Sequence, residues 1–147
     1  MIVELSSKVE YALLALLELA SHKKKGEPMK VSEIAASQGI PDRYLDQILT
    51  LLRRTGVVQS QRGAKGGYLL AKEPWQITLL EVVSSVEGDS SPKNGDFSEA
   101  TTLEKTAVLE VWLQVKKASF AALGGYTLQD LCQQRDAYRQ ENPMYYI

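Results

Sequence analysis

Residues 31–56, VSEIAASQGIPDRYLDQILTLLRRTG, leave the chain little choice of local structure. Ser32 is placed to cap a short helix that turns Ile34 and Ala35 inward, and Gly39 then supplies a positive-φ turn residue. Pro41 suits the first turn of a second helix. In that helix Leu45, Ile48, Leu49 and Leu52 recur on one side, and Gly56 stops it. A short helix, a tight glycine turn and a longer helix form a helix-turn-helix pattern.

The opposite face of the second helix carries Arg43, Gln47, Thr50 and Arg54, at i, i+4, i+7 and i+11. Arg and Gln in the exposed N-terminal half of such a helix can hydrogen-bond bidentately to guanine and adenine edges. A polar solvent face looks the same when read alone, so the neighbouring sequence has to discriminate. It continues VVQSQRGAKGGYLLAK: Val57, Val58 and Ser60 read as a short strand, GAKGG as a turn and YLLA as the returning strand. A hairpin directly after the second helix is a wing. Glycine at its tip would let the backbone lie close against a phosphate chain, while Arg62 and Lys65 reach a phosphate or enter the minor groove. No G-x-x-x-x-G-K-[ST] is present, which excludes a P-loop. A glycine-rich tip can be only a turn, but helix, turn, helix and wing in that order favour nucleic-acid binding.

Charge supports this unevenly. Residues 1–75 carry 11 Lys and Arg against 8 acids, a surplus of three, and residues 76–147 carry 6 against 10, a deficit of four. Between residues 43 and 72 stand six cations, Arg43, Arg53, Arg54, Arg62, Lys65 and Lys72, with Asp46 as the one acid. Such a face suits an anion, although charge alone equally describes a solvated surface. With 147 residues, 44% hydrophobic and 24% charged, the chain reads as a soluble domain with or without an appendage. It has no apolar run of 18 residues, and its opening MIVELSSKVE does not resemble a secretory signal. A cytoplasmic protein with no membrane partner is expected. The single cysteine, Cys132, excludes an internal disulfide, and with the single histidine, His22, it argues against a one-chain zinc site or Cys-His catalysis. No metal or cofactor is expected. No paired acid and base, nucleophile motif or nucleotide loop survives inspection, so the chain is not read as an enzyme.

Before the helix-turn-helix, Ser7-x-x-Glu10 reads as a capping box. It opens a first helix with Val9, Ala12, Leu13, Leu16, Leu17 and Ala20 on one stripe, which Lys23, Lys24, Lys25 and Gly26 end. After the wing, Thr78-x-x-Glu81 caps another short helix carrying Ile77, Leu80, Val82, Val83 and Val86, and Gly88 closes it. Residues 89–98, made of Ser, Asp, Pro, Asn and Gly with almost no apolar content, then read as a mobile loop. From 99 to 123 a long helix carries Leu103, Ala107, Val108, Val111, Trp112, Val115, Ala118, Ala122 and Leu123 as an apolar stripe. A symmetric partner is the simplest way to bury that stripe, packing on the first helix being the alternative. Gly124 and Gly125 end this helix, and Thr127-x-x-Asp130 caps a last one before an aromatic tail. The expected fold is mainly α with a small β-hairpin wing. Its division is 1–88 as the winged helix-turn-helix, 89–98 as a flexible loop, 99–124 as a dimerisation helix and 125–147 as a C-terminal helix and tail.

LSSKVEYALLALLELA, the span from VSEIAASQG to VVSSVEG and the later YTLQDL resemble the bacterial winged-helix regulators related to IscR, NsrR and CymR. The likeness covers nearly the whole chain and is strongest over residues 5–88, where YLDQIL…LRRTGVV…RG..GGYLL keeps many family positions in register. It implies a homodimeric transcription factor, as a rule a repressor, acting on an imperfect inverted repeat. It places Arg43, Tyr44, Asp46 and Gln47 at the family's base-reading positions, Arg62 at its minor-groove arginine, and Ser7 and Lys8 against phosphates; Ser32, Arg54 and Lys65 complete the expected DNA-contacting set. Leu103, Val108, Val111, Trp112 and Val115 would form the dimer contact. Many relatives hold an iron–sulfur cluster on three cysteines in the loop that corresponds here to residues 88–102, which contain none. Glu10, where some relatives place an acidic ligand, then reads as a capping residue, and no cluster is expected. Sensing would instead resemble that of CymR, through a partner protein or small ligand at the loop and dimer helices. Cys132 leaves two readings, a small buried residue or a thiol switch. A winged helix can also serve as a protein-interaction adaptor, a role with no need of Arg43, Arg54, Arg62 and Lys65 on one side.

Overall fold

Gly39 and Gly56, with φ of 65° and 82°, stop the two helices of the helix-turn-helix where the apolar periodicity ends. The computed structural model describes residues 4–23, 26–88 and 102–141. Its elements are α1 (Ser7–His22), α2 (Val31–Gln38), α3 (Asp42–Arg54), β1 (Val58–Gln61), β2 (Gly67–Leu70), α4 (Leu79–Glu87), α5 (Leu103–Gly125) and α6 (Leu128–Glu141), with a 3-10 turn at Pro74–Gln76. The fold is therefore mainly helical with one antiparallel hairpin, in which Val58 faces Leu70 and Gln61 faces Gly67. Both strands fall one residue from the expected positions. Val57 is still tied to the end of α3, its N–H donating to the Leu52 carbonyl at 3.0 Å.

Two caps differ from expectation. The N-cap of α1 is Ser6, whose Oγ accepts from the Val9 amide at 3.2 Å, so the box between Ser7 and Glu10 does not form. The N-cap of α2 is Lys30, and Ser32 lies exposed inside the helix without a capping role. The cause is tertiary. Met29 exchanges backbone hydrogen bonds of 2.9 and 2.7 Å with Tyr68 of the wing, and the chain turns into the helix immediately afterwards. By contrast Thr78 caps α4 as expected, and Thr127 with Asp130 forms the reciprocal box at α6.

The core is built around α1, which packs against α2, α3, α4, α6 and β2. Ala15 and Leu19 are buried in addition to the stripe read from sequence, because α6 crosses a second face of α1 and buries its own Leu128 and Cys132. Arg135 of α6 fastens the crossing, donating to Ser21 Oγ at 2.7 Å. From α3 come Leu45, Ile48, Leu49 and Leu52, all fully buried.

Helix α5 behaves differently: no residue of it is buried. It packs against α4, and Leu109, Leu113 and Phe120 on one face are half-buried. The opposite face presents Leu103, Val108, Val111, Trp112 and Val115, all exposed. Packing of α5 on α1, the alternative raised above, is not its main intramolecular contact. The loop read at 89–98, the start of the long helix at 99, Lys24, Lys25 and the tail from 142 lie outside the described residues.

Candidate nucleic-acid interface

The amphipathic pattern of α3 fixes one side to the core and leaves the other to solvent. Arg43, Asp46, Gln47 and Arg54 are exposed there, and Tyr44 is about half exposed. Thr50 is less available, since its Oγ1 donates to the Asp46 carbonyl at 2.8 Å within the helix. Tyr44 packs edge-to-face on Tyr11 of α1, with ring centroids 5.9 Å apart. Sequence periodicity gives no hint of Tyr11, because the pair joins two helices.

At the wing, Arg62 and Lys65 are exposed between β1 and β2. The wing is seated by the Met29–Tyr68 pairing, a third short rung beside the hairpin. A Cβ on Gly67 would come within 2.5 Å of the Met29 carbonyl carbon, so glycine there is required by contact inside the protein. At the first turn of α1, Ser7 is exposed and Lys8 half-buried.

Electrostatics separates the six cations of the 43–72 segment. Lys72 pairs with Glu81 of α4 and is neutralised there. Among the described residues Arg43, Arg53, Arg54, Arg62 and Lys65 join no ion pair; the pairs formed are Lys23–Glu73, Lys72–Glu81, and Arg135 and Arg139 with Asp136. Unpaired cations on a helix face and on the hairpin that follows it suit a polyanion of extended shape.

A helix-turn-helix whose second helix presents Arg and Gln, followed at once by a cationic hairpin, defines the winged helix-turn-helix class of DNA-binding proteins. The chain belongs to the Rrf2 family, whose model, described as an iron-dependent transcriptional regulator, matches residues 5–134. It is 37% identical to the HTH-type transcriptional regulator CymR of Bacillus subtilis over 99% of this chain and 100% of that one. It is 30% identical to the regulator IscR of Xenorhabdus nematophila, over 91% of this chain and 82% of the relative. The solved structure of IscR from T. potens superposes with a TM-score of 0.75 at 34% identity, covering 98% of this chain and 97% of that one. That of CymR, the global cysteine regulator of B. subtilis, gives 0.74 at 32% identity, covering 90% and 98%. The protein is thus a DNA-binding transcriptional regulator and not an enzyme, which sets the adaptor reading aside.

The family's iron raises the question of a cluster. Iron–sulfur clusters are held by several thiolates, and this sequence has one thiol. Cys132 sits buried in α6, where desolvation pushes its pKa up against the opposing pull of Arg135. Among the described residues no group of three or more His, Cys, Asp or Glu is arranged to hold a metal. The donor set does not fit a thiolate-ligated cluster.

Proposed function

We propose that the protein is a cytoplasmic, homodimeric repressor that binds an inverted-repeat operator without an iron–sulfur cluster of its own. Each α3 enters a major groove and each wing lies over the flanking minor groove, the two half-sites one helical turn or a multiple apart. Arg43, Tyr44, Asp46 and Gln47 read base edges; Ser7, Lys8, Ser32, Arg54 and Lys65 hold the backbone; Arg62 enters the minor groove. The single observation that carries this reading is the set of unpaired cations running from α3 onto the wing tip. The signal enters through a partner protein or a small ligand. Among the described residues no helix is long and apolar enough to cross a membrane.

The testing experiment is capture of fragmented genomic DNA from the source organism by the purified, anaerobically prepared protein. Enrichment of a few promoters sharing an inverted repeat is expected; no enrichment above background at moderate salt contradicts the reading.

Two substitutions separate the roles on the interface. Arg62→Ala should weaken binding and lower the slope of log affinity against log salt by about one, the signature of a lost phosphate contact. An unchanged slope excludes that role. Gln47→Ala should cost about 1–3 kcal/mol at one base position and little elsewhere. A uniform loss across all operator variants would show that Gln47 does not read a base.

A further inference from the structure

Three elements assigned above to DNA are each tied to α4 by a polar side chain. Glu87 accepts a 2.6 Å hydrogen bond from Ser6 Oγ, the same oxygen that caps α1 by accepting from the Val9 amide. One turn earlier, Ser85 is the buried polar side chain of the core. It donates to the Glu81 carbonyl at 2.7 Å, and its oxygen lies 2.7 Å from Oγ1 of Thr55, the C-cap of α3. A hydroxyl has one hydrogen. That of Ser85 is committed to Glu81, so Thr55 donates to Ser85, its contacts with the Leu52 and Leu51 carbonyls being longer at 3.2 and 3.4 Å. Finally, the Glu81 carboxylate pairs with Lys72, two residues beyond β2.

Resting on the DNA-binding reading, we infer that Glu81, Ser85 and Glu87 are positioning residues. They fix the first turn of α1, the end of α3 and the base of the wing relative to one another, so that α4 controls operator selectivity without touching DNA. Apolar packing of α4 on α1 and α3 sets which faces meet, but it is non-directional. Directional hydrogen bonds set where along those faces each element stops.

The test uses the promoter fragment most enriched in the capture experiment and a random-sequence duplex of equal length. A loss of stability alone lowers the active fraction and changes both affinities together. A positioning role lowers their ratio. Ser85→Ala and Thr55→Val should each reduce the operator-to-random ratio about three- to tenfold. The double variant should be no worse than either single one, because the two side chains share one bond. Thr55→Ser, which keeps the hydroxyl, should restore the ratio. Thr55 is exposed, so its variants keep the experiment decisive even if Ser85→Ala folds poorly. Unchanged ratios in all variants, with the unaltered protein still selecting the operator, overturn the inference. Loss of selectivity in the unaltered protein itself overturns the DNA-binding reading and this inference together.

Discussion

Gly67→Ala is expected to abolish operator binding and to lower the thermal midpoint by about 5–15 °C. The added Cβ would lie 2.5 Å from the Met29 carbonyl carbon and 3.0 Å from the Lys30 amide nitrogen, with the Met29 oxygen closer still. All are backbone atoms, so no side-chain rotation relieves the overlap, and the glycine φ of 152° adds strain for any other residue. The wing must move off the α1–α2 connection, breaking both Met29–Tyr68 hydrogen bonds. Overpacking of this kind costs about 1–3 kcal/mol, and each hydrogen bond about 0.5–1.5. Loss of binding follows because Arg62 and Lys65 ride on the displaced hairpin. Thermal unfolding by circular dichroism and an operator titration check both parts. Gly63→Ala is the control: its φ is 106°, but a Cβ there meets nothing within 4 Å. It should cost about 1 kcal/mol from backbone strain alone. Equal losses at the two positions would show that conformation, and not the close approach to Met29, makes glycine necessary.

Val111→Glu is expected to convert the dimer into a folded monomer and to weaken operator binding by about two orders of magnitude or more. Val111 lies in the middle of the α5 stripe and is 64% exposed in the single chain, between Val108 at 65% and Trp112 at 50%. A stripe this apolar along one helix needs a second surface. A carboxylate at its centre would have to be desolvated without a partner when two copies meet. The monomer should tolerate the change, because α5 contributes no buried residue to the core of its own chain. Affinity falls because one recognition helix then binds without the second held over the adjacent half-site. Sedimentation velocity reads the mass and an operator titration the affinity. A dimer that persists with unchanged binding would exclude this face as the interface.

Much of the interface was legible because its signals are local. Arg43, Gln47 and Arg54 are separated from Leu45, Ile48, Leu49 and Leu52 by helical periodicity alone, and the structure keeps the first group exposed and buries the second. Lys72 was not separable from its neighbours. Its partner Glu81 is nine residues away on another element, and only folding brings the two together. Ser7 was read as the cap of α1 because its spacing to Glu10 matches a capping box. Ser6 takes the role while its hydroxyl also donates to Glu87, 81 positions along the chain. Tyr11 left no sequence signal at all, since its contact with Tyr44 depends on how α1 crosses α3.

The sequence by itself determined the elements: apolar residues at helical or alternating spacing, glycines where helices end, and cations grouped on one helix face and one hairpin tip. These are properties of a few consecutive residues, set by backbone sterics and side-chain period. The tertiary structure decided which surfaces meet. It placed α6 across a second face of α1, burying Ala15 and Leu19, and left the outer stripe of α5 uncovered. It neutralised one of the six cations, and it made Gly67 obligatory through the backbone of Met29. Each depends on atoms far apart in the chain. Their contact is fixed only when the whole core closes, which no local pattern specifies.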